Sequence, residues 1–515
     1  MTDTLTNAND SSSGVSAELV QGLGLFSSTM IVIGSMIGSG IFIVSQDIAS
    51  QVQSPGLLLV VWIVSGVMTL IGALSYGELA AAMPRAGGQY VYLRESLGPL
   101  WGFLYGWTML LVIQTATIAA VAIAFAKFMG VMVPWFSASS WILKFGTFGP
   151  WKLWFGALGP YNVGLNTQNL LAILCIIVLT WINTRGLHLG ALVQNVFTVT
   201  KTGALAGLVL LGLFFSSAEV RAANFTNFWR NAGLSTTHGY PPGVNTWWIS
   251  TITLVGVALV GALFSSDAWN NITFTAAEVK KPSRNLPLSL ALGTGIVILL
   301  YVLANIAYLR ILPLAGDPHG ATPLARGIQF AAEGRVGTAA AQVVFGPAGA
   351  VVMAAAILIS TFGCANGLIL AGARIYYAMA KDGLFFKSVG TVNRRHTPGM
   401  ALLVQCIWAS LLCLSGTYNQ LLDFLIFAVM IFYILTLFGL FVLRWKRPEM
   451  ERPYRAFGYP YLPALYLVMA VFLEIQLLRY KPQYTWPGLI IVLLGVPVFW
   501  LWKWAGKSVA DSPTS

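Results

Sequence analysis

Long apolar stretches alternate with short polar segments along nearly the whole chain. A helix needs about 20 apolar residues to cross the hydrocarbon core of a bilayer, and twelve stretches meet that requirement. The predicted spans are residues 23–50, 56–83, 98–133, 168–184, 190–216, 247–277, 286–313, 346–380, 399–416, 420–443, 461–478 and 486–505. The pattern therefore predicts an all-α integral membrane protein with twelve transmembrane helices.

The amino-acid composition agrees with a membrane protein and indicates which kind of partner the chain contacts. Of the 515 residues, 57% are hydrophobic and only 9% are charged, whereas a soluble globular chain carries about 25% charged residues. The net charge of +12 comes from Lys and Arg residues that concentrate in a few short loops. The expected partner is therefore the lipid bilayer and not a nucleic acid. Most of the 29 Lys and Arg residues lie on the side of the two termini, which the positive-inside rule assigns to the cytoplasm.

The remaining polar and reactive residues indicate no second domain and no bound metal. Residues 1–20 are rich in Ser, Thr and Asn and contain no Lys or Arg, which is typical of a disordered cytoplasmic tail. The four cysteines lie inside apolar stretches and show no metal-ligand spacing. We therefore expect neither a metal site nor a cofactor.

The first span contains a cluster of small residues at membrane depth. Its central part reads Gly34-Ser35-Met36-Ile37-Gly38-Ser39-Gly40. Each glycine costs a helix interior about 1 kcal/mol relative to alanine. Close helix packing through Gly34 and Gly38 is the alternative explanation, but two glycines around the hydroxyl of Ser39 favour an unwound segment.

The sixth span contains a second concentration of polar groups. A carboxylate, two hydroxyls and two amides interrupt its apolar run: Ser265, Ser266, Asp267, Asn270 and Asn271. Such groups are costly inside a membrane and usually face a cavity, and their side chains compete with the helix for backbone hydrogen bonds. The pattern predicts a break at Ser265–Asp267.

The two predicted breaks lie five spans apart. Residues 21–216 and 247–443 then form two inverted five-helix repeats, each beginning with a broken helix, and residues 461–505 supply two additional helices. Broken helices at corresponding positions of two repeats point to a transporter's binding site. Free N–H groups at a half-helix start attract a carboxylate, and free C=O groups at a half-helix end attract an ammonium. A zwitterionic α-amino acid can bridge the two.

Several motifs, taken in order, resemble one family. Ile37-Gly38-Ser39-Gly40-Ile41-Phe42 resembles the first-helix signature of the amino acid–polyamine–organocation superfamily. The segment from Phe264 to Asn270, followed by Glu278-Val279-Lys280-Lys281-Pro282, is similar to its L-type amino-acid transporter branch. The likeness covers roughly residues 22–480. It implies a leucine-transporter-type fold, with ten core helices in two inverted repeats plus two more.

The resemblance also implies roles for residues at the breaks. The implied substrate-binding residues are Ile37, Gly38, Ser39, Gly40, Phe264, Ser265, Asp267 and Asn270. Ser39 and Gly40 would bind the substrate carboxylate through backbone and hydroxyl donors. Carbonyl groups near Ile37, Phe264 and Ser265 would accept the ammonium, and the Phe264 ring would act as a gate over the substrate.

One departure from the resemblance concerns a partner chain. Eukaryotic heteromeric members of the branch carry a cysteine in the loop after the third span, bonded to a glycoprotein. Residues 134–167 contain no cysteine. We therefore expect no disulfide-linked heavy chain, and instead a bacterial-type single-chain transporter of the inner membrane that can act as a monomer.

Lys201 lies about eleven residues into the fifth span, too deep to reach either interface easily. The resemblance puts it where sodium-coupled relatives bind a sodium ion, near carbonyl groups around Gly34 and polar groups such as Ser360. We expect Lys201 to replace that ion, so that transport does not depend on sodium. A lysine that reaches water through the cavity is the alternative. Because burial disfavours a charged lysine, proton coupling also stays open.

The carboxylate of the second break has several interpretations. Asp267 can form a polar wall of the pocket, pair with a cationic side chain, carry a proton, or cap the lower half-helix. Asn270 is expected to link the sixth helix to neighbouring polar groups.

Other classes of membrane protein fit the sequence less well. An enzyme would need catalytic groups, but the four histidines lie in loops or at span ends, and no metalloprotease or paired-carboxylate motif is present. A channel would lack the paired breaks. The sequence therefore favours a secondary amino-acid transporter that works by alternating access. A proton-coupled symporter of amino acids, amines or polyamines is the alternative.

Overall fold

Helices make up most of the part of the chain that the computed structural model describes, which is residues 19–153, 156–158, 160–229, 247–414, 418–480 and 482–510. Of the predicted tail, residues 1–18 lie outside the described residues. Helices are expected here because the hydrocarbon core offers no water to the backbone, and a helix pairs its N–H and C=O groups internally.

The helices of the first half follow the predicted spans closely. They are α1 (Leu25–Met36), α2 (Gly40–Val52), α3 (Pro55–Ala82), α4 (Gln89–Leu97), α5 (Pro99–Thr108), α6 (Gln114–Met132), α7 (Thr167–Thr184), α8 (Leu187–Phe214) and α9 (Ala218–Phe225). A π-helical segment, Met109–Ile113, joins α5 to α6 into one span. A side-chain cap marks the start of α3. The Ser54 hydroxyl accepts a hydrogen bond from the Leu57 amide, as N-capping residues do.

The helices of the second half begin with another interrupted element. They are α10 (Trp247–Ser265), α11 (Asn271–Phe274), α12 (Pro282–Ile311), α13 (Pro323–Arg326), α14 (Val336–Phe345), α15 (Pro347–Lys381), α16 (Gly399–Cys413), α17 (Tyr418–Lys446), α18 (Tyr461–Tyr480) and α19 (Pro482–Ala510). The helix α14 lies in the connection before α15 and contains three consecutive alanines, Ala339 to Ala341.

The described helices confirm the membrane assignment. Among the described residues, nine helices are long and apolar enough to cross a membrane, and the bent pair α1–α2 makes a tenth. Two shorter apolar helical segments, Thr251–Ser265 and Gly399–Cys413, fall where the sixth and ninth spans are predicted. The number twelve itself stays a prediction.

Both interrupted helices lie at the centre of the bundle. The helix α1 packs against α8, α12 and α15, and α2 packs against α3 and α10. Residues from Ile31 to Val44 are buried without exception, glycines and serines included. Polar backbone at the breaks is therefore enclosed by protein and not exposed to lipid, as non-helical backbone at membrane depth must be.

A β-structure that the sequence pattern did not predict lies between α6 and α7. Strands β1 (Trp141–Phe148) and β4 (Tyr161–Asn166) pair antiparallel, as do β2 (Trp151–Leu153) and β3 (Gly156–Leu158). Its tip packs near α19, and its apolar side chains are exposed, Phe145 to 64%. Trp and Tyr side chains are enriched at membrane–water interfaces, and Trp151 in β2 is 50% exposed.

Candidate functional site

The first break consists of three residues between two half-helices. The helix α1 ends at Met36 and α2 begins at Gly40, with a bend of 40° between them. Ile37 and Ser39 are at most 1% exposed. The last carbonyls of α1 and the first N–H groups of α2, which lack partners within a helix, are therefore presented inside the protein.

The second break is longer and its backbone is more distorted. The helix α10 ends at Ser265 and α11 begins at Asn271. Ala268 has φ of +65°, a left-handed conformation that is uncommon for a residue with a Cβ. Such local strain persists only where the surroundings hold it, and it clusters at functional sites. The predicted break at Ser265–Asp267 therefore corresponds to the start of this irregular segment.

Close contact joins the two breaks. A Cβ atom on Gly40 would lie 2.3 Å from Ser265 Oγ and 3.0 Å from its Cα, so only glycine lets the start of α2 approach the end of α10. The hydroxyl of Tyr301 bridges the same region: Tyr301 Oη lies 2.9 Å from the Met36 carbonyl oxygen and 3.1 Å from that of Ser265. One phenol hydroxyl on α12 thus lies within hydrogen-bond distance of the last carbonyl oxygen of α1 and of the last carbonyl oxygen of α10.

Lys201 reaches the first break from α8. Its Nζ donates to the carbonyl oxygens of Gly34 at 2.5 Å, Ile37 at 2.6 Å and Ser360 at 3.3 Å. An ammonium has three donors, and here each meets a carbonyl. The side chain is 1% exposed, and the negative end of the α1 dipole lies beside it. The arrangement brings together the three residues predicted for the cation position and adds Ile37.

Two further contacts explain the small residues around this position. A Cβ atom on Gly34 would lie 1.9 Å from Gln194 Nε2, so glycine permits the close approach of α1 and α8. The Ser360 hydroxyl donates to the carbonyl oxygens of Ile37 and Gly38, at 3.2 Å each. Because a hydroxyl has one hydrogen, Ser360 is shared between these two oxygens, and Lys201 Nζ at 2.6 Å is the closer donor to the Ile37 carbonyl oxygen.

Three cavities meet at Asp267. The break cavity, of about 340 Å³, is lined by Gly38, Ser39, Gly40, Phe264 and Ser265, together with Thr117, Val121 and Cys364 among others. The lateral cavity, of about 330 Å³, lies between α5, α6, α15, α17 and the second break. A third cavity, of about 280 Å³, lies toward α3 and α18.

The Asp267 carboxylate accepts hydrogen bonds from Tyr433 and from the Ala268 backbone N–H. Tyr433 Oη on α17 donates to Asp267 Oδ1 at 2.5 Å, within the short range of hydrogen bonds to ionised oxygens. Asp267 lines all three cavities, whereas Phe264 lines only the break cavity. The geometry agrees with a polar wall of the pocket, and the other interpretations of Asp267 stay predictions.

Asn270 connects the second break to two other helices. Its Nδ2 donates to Gln89 Oε1 at 2.8 Å. Gln89 Nε2 in turn donates to the Phe432 carbonyl oxygen at 3.1 Å and to Thr436 Oγ1 at 3.0 Å. The polar neighbour expected for Asn270 is therefore Gln89 on α4, and the chain of bonds continues to α17.

A buried ion pair lies on the side of the termini, beyond the second break. Arg374 on α15 donates to both carboxylate oxygens of Glu278, at 2.8 and 2.9 Å, and neither side chain is more than 1% exposed. The Glu278 carbonyl oxygen also accepts from the amides of Gly22 and Leu23. The pair therefore ties the segment before α1 to the loop after α11 and to α15.

Sequence reasoning missed Tyr301, Gln89 and Tyr433 as parts of the site. Tyr301 stands in the middle of an apolar span and not at its end, where interfacial tyrosines are expected, and that position is the signal that was available. The positions of Gln89 and Tyr433 in the sequence do not indicate that they belong to the site. Among the described residues, no group of three or more His, Cys, Asp or Glu side chains is arranged to hold a metal ion.

Comparison with known proteins agrees with this geometry. The amino acid permease family matches residues 23–499. The mouse Large neutral amino acids transporter small subunit 2 is 31% identical over 513 residues, which cover 99% of this chain and 86% of that protein. Its human counterpart is 30% identical, with 97% and 84% covered. The human b(0,+)-type amino acid transporter 1 is 29% identical, with 92% and 85% covered.

The matches extend over both breaks, Lys201 and the helices that surround them. They confirm the resemblance to the amino acid–polyamine–organocation superfamily and to its L-type transporters. The chain belongs to the amino acid permease family and is an integral membrane amino-acid transporter.

Proposed function

We propose that the protein carries L-amino acids by alternating access, as a permease or exchanger that does not use sodium. The observation that supports this most directly is the position of Lys201, whose ammonium has three carbonyl acceptors at the end of α1. A fixed ammonium there leaves no need for a dissociable cation to satisfy the same carbonyls.

The substrate's α-groups bind at the two breaks. Its carboxylate accepts from the N–H groups of Ser39 and Gly40 at the start of α2 and from the Ser39 hydroxyl, because a helix start carries partial positive charge. Its ammonium binds the carbonyls of Phe264 and Ser265. Ile37, whose carbonyl oxygen accepts from Lys201, contributes by holding that lysine. Gly38 lets the first break approach α15, because a Cβ there would lie 3.2 Å from Cys364 Sγ.

The substrate range is taken from the relatives. Two relatives are named for transport of large neutral amino acids, and we extend a range of neutral amino acids to this chain. Phe264, which is half-buried on the wall of the break cavity, acts as the gate over the bound substrate. The matched family and the relatives are named as permeases and transporters, and we propose no enzymatic activity for this chain.

The architecture that we propose has twelve spans. Residues 21–216 and 247–443 form two inverted five-helix repeats, residues 461–505 add two helices, and residues 1–20 form a cytoplasmic tail. Both termini lie in the cytoplasm, because Lys and Arg residues concentrate on that side.

The chain works without a covalently attached partner. The relatives named as small subunits are by their name parts of larger assemblies, but residues 134–167 of this chain contain no cysteine. We therefore propose a bacterial-type, single-chain transporter of the inner membrane that is active as a monomer. Purification without reducing agent, followed by a mass measurement on the detergent-solubilised protein, tests this assembly.

Counterflow in proteoliposomes tests the proposed function. Vesicles loaded with unlabelled L-amino acids are diluted into labelled substrate, with sodium chloride or choline chloride outside. Equal rates in both salts are expected. Strict dependence on sodium would overturn the assignment of Lys201, and accumulation driven by a pH gradient alone would favour the proton-coupled alternative.

A further inference from the structure

The hairpin formed by β1 and β4 joins a membrane span without a spacer. Strand β4 ends at Asn166, and α7 begins at Thr167. The Thr167 amide donates to the Ser140 carbonyl oxygen at 2.9 Å, and the Asn166 side chain caps α7 by accepting from the Asn169 amide at 2.7 Å. With 18 residues, α7 is about 27 Å long, close to the hydrocarbon thickness of about 30 Å. The hairpin therefore starts at the boundary between the hydrocarbon core and the headgroups.

Further contacts hold the hairpin against the bundle. The Gly164 amide donates to the carbonyl oxygen of Leu414 at 3.2 Å, directly after the end of α16. The continuation of the ribbon, through β2 and β3, packs near α19. Contacts at the base and at the tip both involve apolar helices of the bundle, so the ribbon runs along the rim of the bundle.

The strand register gives the hairpin one apolar and one polar face. Residues directly opposite each other in an antiparallel pair share a face, and neighbours along a strand alternate. One face carries the pairs Leu143–Leu165, Gly146–Val163 and Phe148–Tyr161, and the other carries Lys144–Gly164 and Thr147–Asn162. Bulges between Trp141 and Leu143 and between Lys144 and Gly146 produce this separation. The sequence of β1, read without them, does not show it.

The apolar face is uncovered. Leu143 and Phe148 are 55% and 47% exposed, and Trp151 and Leu153, which share one face of β2, are exposed as well. A two-stranded hairpin alone is marginally stable in water and needs an apolar surface to pack against. Another surface must therefore cover this face.

The hairpin carries positive charge without any negative charge. Lys144 and Lys152 are the only charged residues within residues 134–167, and both are exposed. Lys144 Nζ lies 5.7 Å from the centroid of the Trp141 ring. Lys152 lies between Trp151 and Leu153 on β2 and thus points to the opposite face. An apolar face combined with flanking lysines is typical of elements that lie on a membrane surface.

The edges of the ribbon set its depth. In the described part of the chain, β1 pairs only with β4, and β2 pairs only with β3. Every strand therefore has one edge with unpaired N–H and C=O groups. Open sheet edges do not occur in the hydrocarbon region, because nothing there can satisfy them. Headgroups and their water can, so the ribbon belongs in the headgroup layer.

We propose that this hairpin is a binding surface for anionic phospholipids. Its apolar face rests on the boundary of the acyl chains, and Lys144 and Lys152 contact the lipid phosphates. A soluble protein that approached from the water would meet the polar face and leave the apolar face uncovered. The proposal does not depend on which solute is transported.

Two labelled positions test the orientation of the hairpin. Phe148 and Thr147 are neighbours on opposite faces, and the four native cysteines are buried, so a bimane maleimide reacts with an introduced cysteine. Phe148→Cys and Thr147→Cys are labelled and placed in nanodiscs that contain lipids with brominated acyl chains. We expect the label at 148 to lose emission to the brominated chains and the label at 147 to lose emission to iodide in the water.

Lysine variants test the lipid class. With the label at 148, quenching by brominated phosphatidylglycerol is compared with quenching by brominated phosphatidylcholine, which gives their relative binding constant. The preference for phosphatidylglycerol should fall about fivefold for each lysine replaced in Lys144→Gln and Lys152→Gln. Arg221→Gln, an exposed cation on α9 that follows α8 at the same end of the bundle, is the control and should keep the preference.

Three results would overturn the proposal. The first is a label at 148 that is quenched by iodide and not by brominated chains. The second is a preference for phosphatidylglycerol that stays unchanged in the double lysine variant. The third is formation of disulfide-linked dimers by unlabelled Phe148→Cys in proteoliposomes, which would assign the apolar face to a second copy of the chain.

Discussion

The two breaks differ in where their charge comes from. The first is short, and its charged partner, Lys201, comes from another helix and is held by three carbonyl oxygens. The second is longer and carries its own charge on Asp267, which faces three cavities and accepts from Tyr433 and the Ala268 backbone N–H. The charge at the first break is therefore enclosed by carbonyl oxygens, whereas the charge at the second break adjoins open space.

This difference indicates that the two breaks contribute differently to substrate recognition. In the proposed function, the α-carboxylate of every amino acid binds at the first break and the α-ammonium binds the carbonyls of Phe264 and Ser265. The side chain would then lie near Asp267, which lines all three cavities. Tyr301 and the Gly40–Ser265 contact join the two regions. Substitutions at the first break should thus affect all substrates alike, and those near the second should affect them selectively.

The largest effect is expected from Lys201→Ala. Three carbonyls would lose a charged donor, and an unpaired buried polar group costs about 1–3 kcal/mol. We expect exchange of every substrate to fall about a hundredfold in proteoliposomes. Thr200→Ala, at an exposed neighbouring position of α8, is the control and should keep normal exchange. Retention of wild-type rates by Lys201→Ala would remove the distinction between the two breaks.

A smaller but still general loss is expected from Gly40→Ala. The new Cβ would lie 2.3 Å from Ser265 Oγ, and overpacking of this kind costs about 1–3 kcal/mol. Exchange should fall about 10- to 30-fold, with partial recovery in the double variant Gly40→Ala, Ser265→Gly. Gly203→Ala is the matched control, because nothing lies within 4 Å of its added Cβ. Tolerance of alanine at position 40 would contradict the close approach of the two breaks.

Tyr301→Phe should weaken the contact between the two breaks while leaving the packing of the aromatic ring unchanged. It removes the hydroxyl that contacts the carbonyl oxygens of Met36 and Ser265, and the loss of one buried bond corresponds to about a tenfold decrease in exchange. Tyr308→Phe, on the same helix but bonded to the Ile41 carbonyl oxygen at 3.3 Å, should have less effect. Equal losses in the two variants would argue against a special role for Tyr301.

The smallest effect, and the most selective, is expected from Tyr433→Phe. Asp267 loses one donor but keeps its access to the cavities. We expect about a threefold change in KM that differs between glutamine and methionine, with little change in maximal rate. Tyr466→Phe, on the wall of the third cavity, is the comparison. A uniform loss for all substrates would show that Asp267 acts on every substrate alike, as the first break does.

The sequence predicts much of this site because its signals are local. Glycines around Ser39 and polar residues around Asp267 locate the two breaks within a few residues, and the depth of Lys201 in its span marks a buried cation. The resemblance then supplied the third element, Ser360, which lies far away in the chain. Helix bounds agree because long apolar runs define them.

Other parts could not be predicted because they depend on contacts between distant segments. Tyr301 matters through two carbonyls that lie 36 and 265 positions away, and no local pattern encodes such a pair. The unpaired hydroxyl of Tyr105, on the wall of the lateral cavity, is visible only once the neighbouring helices enclose it. Strand β4 alternates apolar Tyr161, Val163 and Leu165 with Asn162, Gly164 and Asn166, but it is only six residues long, and its partner β1 lacks a regular alternation. Such features follow from packing and not from periodicity.

Lys201 is covalently part of the chain, and this has an energetic consequence. A bound sodium ion can leave with the substrate on the far side and bring the energy of its own gradient, including about 2.3 kcal/mol for each charge moved through 100 mV. A tethered ammonium cannot leave, and a zwitterion carries no net charge. Such a cycle draws no work from the membrane voltage. In the proposed function, its direction is set by the amino-acid concentrations on the two sides, so one amino acid would be accumulated only at the expense of the gradient of another.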